Sequence, residues 1–92
     1  MPTISLSLPT VLAPLAQGQR TVAGSGDTLR AVVRDLSARF PALGPRLTDD
    51  RGEPYPFVTF YLNDEDIRFL GGFDAAVREG DELTIVPAVA GG

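Results

Sequence analysis

Residues 87–92 read Pro-Ala-Val-Ala-Gly-Gly, and they carry the most reactive chemistry this sequence offers. A chain ending in Gly91-Gly92 presents an α-carboxylate with no side chain beside it. That group has a pKa of about 3.3–3.7, so at neutral pH it is ionised and a poor electrophile. Joined to a good leaving group such as AMP, the same carboxyl becomes a strong acyl donor. Glycine has no Cβ, so the end can thread a narrow channel and leaves its carbonyl unhindered. A frayed terminus without a role is the competing reading of the same residues.

Other reactive groups are scarce. The 92 residues include no Cys and no His, and all eight basic residues are Arg. Thiolate chemistry, the commonest general base and metal ligand, and Schiff-base chemistry are thereby excluded. Three polar motifs remain. Gly24-Ser25-Gly26-Asp27-Thr28 places two glycines before a helix, as a phosphate loop does, but position 29 is Leu and no Lys follows. We read it as a flexible lead-in to a capped helix. Asn63-Asp64-Glu65-Asp66 gathers three carboxylates. An EF-hand counted from Asp64 would need Gly and Glu where this chain has Phe69 and Ala75, so a solvated turn is expected. Arg78-Glu79-Gly80-Asp81-Glu82 reads as a turn with no sign of a catalytic cleft.

The elements that must position the terminus follow from periodicity. Thr3–Pro9 alternates, with Ile4, Leu6 and Leu8 on one face, and predicts a half-buried strand. Residues 10–18 form a connection with one helical turn, and residues 19–24 a second strand paired with the first as a hairpin. Leu29, Val32, Val33, Leu36 and Phe40 lie on one helical stripe, with Asp27 or Thr28 as N-cap and Pro41 as stop. Residues 42–56 form an excursion with a short helix around Leu43–Leu47. Residues 57–69 predict a strand, a polar turn at Asn63–Asp66 and a short return strand. Residues 71–81 form a loop with a helical turn. Glu82–Pro87 is the last strand, with Leu83 and Ile85 inward.

This order predicts a two-layer α+β domain, a mixed sheet of four to five strands on one main helix. The domain spans 1–86, followed by a tail at 87–92 that can extend about 20 Å. One helix covers one face of the sheet. The face bearing Phe57, Thr59, Tyr61, Thr84 and Val86 is expected to stay bare and to receive a partner. A net charge of −4 without a basic cluster argues against nucleic acid and favours a basic protein surface. No apolar run approaches the roughly 20 residues of a membrane span, and no signal peptide stands at the N-terminus, so no membrane association and a cytoplasmic location are expected.

The segments Pro9–Pro14, Ser25–Leu36, Phe57–Gly72 and Asp81–Gly92 together resemble the MoaD/ThiS family of ubiquitin-like sulfur carriers, and within it the branch serving a thiocarboxylate route to cysteine. The resemblance implies a β-grasp (ubiquitin-like) fold and a carrier rather than an enzyme. It implies that Gly92 is the acyl-adenylate and thiocarboxylate site, with Gly91 threading beside it. Phe57, Thr59, Tyr61 and Val86 would meet the partner with Pro87, Ala88, Val89 and Ala90 of the tail. The implied partners are a MoeB/ThiF-like, ubiquitin-activating-type adenylyltransferase using ATP and magnesium, a sulfur acceptor such as a pyridoxal-phosphate (PLP)-dependent cysteine synthase, and a zinc JAMM-type peptidase. The chain itself is expected to bind no cofactor and no metal. Carriage for molybdopterin, thiamin or a sulfur-containing secondary metabolite, and attachment to proteins as a modifier, remain open alternatives.

Overall fold

A computed structural model describes residues 1–55 and 58–87, with Pro87 described by its backbone alone. In chain order the strands are β1 (Thr3–Ser7), β2 (Thr21–Ser25), β3 (Val58–Leu62), β4 (Glu65–Asp66) and β5 (Glu82–Pro87). The helices are α1 (Leu29–Arg39) and the single-turn α2 (Gly44–Leu47), with 3-10 turns at Ala13–Ala16, Ile67–Phe69 and Gly72–Asp74. The strands form one five-stranded mixed sheet in the order β2-β1-β5-β3-β4. With α1 on one face, this is the β-grasp arrangement.

Alternation decides which way each strand faces. Ile4 and Leu6 of β1, Val58, Phe60 and Leu62 of β3, and Leu83 and Ile85 of β5 are all buried. They meet Leu29, Val32, Val33 and Leu36 from α1, the apolar stripe expected from its sequence. Phe60 and Phe73 meet edge to face, with centroids 5.2 Å apart at 78°. Thr28 rather than Asp27 supplies the N-cap: its backbone is extended and its Oγ1 accepts from the Ala31 amide at 3.2 Å.

The glycines before α1 have a packing role. A Cβ on Gly24 would lie 2.9 Å from Cγ1 of Val32, and one on Gly26 would lie 2.6 Å from Cβ of Ala31. They let β2 and the lead-in to α1 lie close against the helix, which accounts for both without a phosphate. The outer edge of β2 is also occupied by α1. Asp35 Oδ2 accepts from the Ser25 amide at 3.0 Å, and the Arg39 guanidinium donates to the Ala23 carbonyl. Engaging the free backbone groups of an edge strand protects it from pairing with another chain.

The hairpin after β3 differs from expectation. The turn is confined to Asn63 and Asp64, both at positive φ (52° and 72°), as a tight hairpin requires. The return strand is only Glu65–Asp66, and Ile67–Phe69 is a 3-10 turn instead of strand. The cause is local: the Asp66 carboxylate accepts from the Arg68 amide at 2.9 Å and folds the chain over.

The excursion after α1 is anchored by Arg30. Its guanidinium donates to Gly52 O (3.3 Å), Glu53 (2.8 Å) and Asp74 (3.4 Å) and lies 5.9 Å from the Phe73 ring centroid.

Asp81 joins the last turn to the hairpin: it accepts from Asn63 Nδ2 at 3.0 Å and from the Arg78 amide at 2.8 Å. The Asn63 side-chain bond, followed by the Arg78 amide bond, holds its pKa below the ordinary 3.8. A depressed carboxylate pKa contributes stability that is present above about pH 4 and lost as pH falls through the folded-state value. We expect Asp81→Asn to unfold at lower urea than the wild-type chain at pH 7, with the two midpoints converging as the pH falls below the ordinary value of 3.8. A gap that stays constant with pH contradicts this.

Candidate functional site

The terminus is delivered by β5. This central strand pairs in parallel with β1, with Ser5 opposite Glu82 and Ser7 opposite Thr84. On its other side it pairs antiparallel with β3, from Leu62 opposite Leu83 to Val58 opposite Pro87. The strand that leads to the terminus is therefore held from both sides in the middle of the sheet. Pro87, which lacks an amide proton, occupies the last position of the ladder, where the Val58 amide turns instead to the Tyr55 carbonyl at 3.1 Å.

On the face away from α1, Thr59 stands opposite Val86 and Tyr61 opposite Thr84. Thr59, Tyr61 and Thr84 are half-buried, and Val86 is 43% exposed. The structure thus gathers Thr59, Tyr61, Thr84 and Val86 on one face, as the alternation predicts, though three of them are less open than a bare sheet implies. Phe57, Ala88, Val89, Ala90, Gly91 and Gly92 lie outside the described residues, as does the side chain of Pro87.

A charged pair at this sheet edge has no counterpart in the sequence reading. Asp66 sits opposite Tyr61, and Arg68 grips it with Nη2 at 2.6 Å and Nε at 3.1 Å from the carboxylate. The Arg68 side-chain bond, then the Arg68 amide, pull the Asp66 pKa below its ordinary value. The same contact holds the Arg68 guanidinium more firmly protonated, with the Tyr61 phenol within electrostatic reach. The pattern Asp-x-Arg just before two glycines was the available signal.

The other carboxylate motifs serve the fold. Glu79 Oε1 accepts from the Thr3 amide at 3.0 Å, and Asp81 and Asp66 are engaged as described. Among the described residues, no group of three or more Asp, Glu, His or Cys is placed to hold a metal ion. Among the same residues, no helix is long and apolar enough to cross a membrane.

Comparison with known proteins agrees with this geometry. The ThiS family profile matches residues 6–92, and the chain belongs to that family. It is 48% identical over 91 residues to the sulfur carrier protein CysO of Mycobacterium tuberculosis, covering 97% of this chain and 98% of the relative. The crystal structure of that protein superposes with a TM-score of 0.87 at 46% identity, covering 94% and 99% of the two chains. A chain from the BexX/CysO complex of Amycolatopsis orientalis gives a TM-score of 0.90 at 39% identity, covering 97% and 99%. Small archaeal modifier protein 3 of Haloferax volcanii is 37% identical over 65 residues, 71% of this chain and 70% of the relative.

Proposed function

We propose that this chain is a sulfur carrier of the CysO type, working through the carboxylate of Gly92. The observation that carries the reading is 48% identity to a sulfur carrier along 97% of the chain. The position of β5 supports it, because a doubly paired central strand is a rigid handle for whatever follows Pro87.

A MoeB/ThiF-like adenylyltransferase uses ATP and magnesium to convert the Gly92 carboxylate to an acyl-adenylate, releasing pyrophosphate. A sulfur nucleophile attacks the acyl carbon, AMP leaves, and a thiocarboxylate remains. In the cysteine route the thiocarboxylate sulfur would be the nucleophile for a PLP-dependent cysteine synthase, whose cofactor would supply the three-carbon acceptor from an O-activated serine with release of that serine's leaving group. The resulting thioester passes its acyl group from sulfur to nitrogen, giving an amide-linked cysteine that a zinc JAMM-type peptidase releases by hydrolysis. This chain contributes the carboxylate and the docking face around Thr59, Tyr61 and Val86, and the remaining chemistry belongs to its partners. A cytoplasmic location follows from that set of partners.

The likeness to a small archaeal modifier supports a second reading, in which the activated Gly92 is joined to amines of other proteins. Presenting the thiocarboxylated chain to its cognate PLP-dependent cysteine synthase, with an O-activated serine and a lysine-bearing protein both present, separates the two. The carrier reading predicts a chain one cysteine residue heavier than the unmodified carboxylate form, with the addition at its C-terminus. Amide adducts to protein lysines with no cysteine gain support the modifier instead.

A further inference from the structure

Phe69 is 81% exposed, whereas Phe40, Phe60 and Phe73 are buried. A large ring held in water forgoes the burial its apolar surface would gain, and presented from a rigid backbone it can serve a partner as an anchor. Here it is rigid. Ile67, two residues before, is 2% exposed and anchors the turn in the core. Asp66 accepts from the Arg68 amide at 2.9 Å and from its guanidinium at 2.6 Å, and the Leu70 amide closes onto the Ile67 carbonyl at 2.8 Å. Phe69 is thus presented from a preformed turn, so little ordering accompanies its capture.

The surrounding charge indicates what captures it. Residues 64–74 contain the carboxylates of Asp64, Glu65, Asp66 and Asp74 against the single guanidinium of Arg68, a net −3 out of −4 for the whole chain. Arg68 is already committed to Asp66, and the Asp74 side chain is 82% exposed with only a 3.4 Å contact to Arg30. Two copies meeting through this segment would set −3 against −3, and nucleic acid or an anionic membrane would be repelled for the same reason.

We propose that Phe69 and its acidic surround dock a partner protein that offers an apolar pocket rimmed by arginine or lysine. Given the reading that enzymes act on the C-terminus, that partner is the activating adenylyltransferase or the sulfur-accepting synthase. This contact is carried by the Ile67–Phe69 turn and adds to the docking face around Thr59, Tyr61 and Val86.

The test is titration calorimetry of the full chain against each purified cognate enzyme, for the wild type, Phe69→Ala, Phe69→Trp and Glu65→Arg, with thermal midpoints measured alongside. Phe69→Ala is expected to weaken binding to at least one enzyme by about tenfold or more, while Phe69→Trp retains it. Glu65→Arg is expected to weaken the same complex and flatten its salt dependence. Because the ring is exposed, the thermal midpoints should not move. Binding by Phe69→Ala equal to wild type for both enzymes overturns the proposal, as does a wild-type chain that binds neither. A wild-type dimer in sedimentation that Phe69→Ala abolishes also overturns it, since the occupant is then a second copy. If the wild-type chain binds through Phe69 yet gains no sulfur, the carrier reading fails and the surface stands.

Discussion

Deleting Gly91 and Gly92 is expected to lower conversion to thiocarboxylate by at least about a hundredfold, the scale on which small misplacements of a reacting group slow enzymes. The truncated chain would end at Ala90. Its carboxylate would fall short by two residues, about 7 Å of reach, and would carry a methyl group beside the acyl carbon. The thermal midpoint should stay at the wild-type value, because among the described residues the hydrophobic core ends at Ile85. Intact-mass analysis of the reaction and a melting curve of the same preparation check both halves. A truncated chain that is converted normally contradicts the assignment of chemistry to the terminus. One that is not converted because it has unfolded contradicts the division between handle and terminus.

Phe60→Ala should act in the opposite way, damaging the handle and leaving the terminus chemically intact. Phe60 is 1% exposed, lies on the central ladder opposite Ile85, and meets Phe73 edge to face. Truncating it removes the ring's burial, the aromatic pair and the filling of the space between β3 and the Gly72–Asp74 turn. Such substitutions cost about 3–5 kcal/mol. A domain of this size has about 5–15 kcal/mol in all, so a large share of its stability disappears. At about 4–8 °C per kcal/mol, the midpoint should fall by roughly 15 °C or more. Phe60→Leu, which keeps most of the volume, should fall much less. Urea or thermal unfolding decides it, and a loss under about 1 kcal/mol contradicts a tightly filled core at this point.

Most of the frame was readable before the structure because its signals are local. Strands β1, β3 and β5 alternate because one face is buried, and Leu29, Val32, Val33 and Leu36 recur at helical spacing because they share one stripe. The choice between Asp27 and Thr28 as N-cap needed geometry, since both types can cap and only Thr28 Oγ1 reaches the Ala31 amide. Ile67-Arg68-Phe69 misled for a related reason. Apolar residues two apart imitate a strand, but the Asp66 side chain bends the backbone first, turning Phe69 out to solvent. The Arg30 anchor was hidden because its partners lie 22, 23 and 44 residues away. The parallel pairing of β1 with β5 is likewise a long-range outcome that no short window encodes.

The candidate site divides the same way. The alternation in residues 57–62 and 82–87 was enough to put Thr59, Tyr61, Thr84 and Val86 on one face. It could not show that Thr59, Tyr61 and Thr84 would be half-buried, because that depends on which strands lie on either side of them.

The fate of the Gly92 carboxylate decides whether this chain carries sulfur. The deciding measurement is the intact mass of the purified chain after incubation with ATP, magnesium, its cognate adenylyltransferase and sulfide. A sulfur carrier gains the mass difference of one oxygen-to-sulfur exchange, located by fragmentation at the C-terminal residue. An unchanged mass under conditions where the enzyme is shown to consume ATP with this chain contradicts the account, and so does a sulfur placed anywhere other than Gly92.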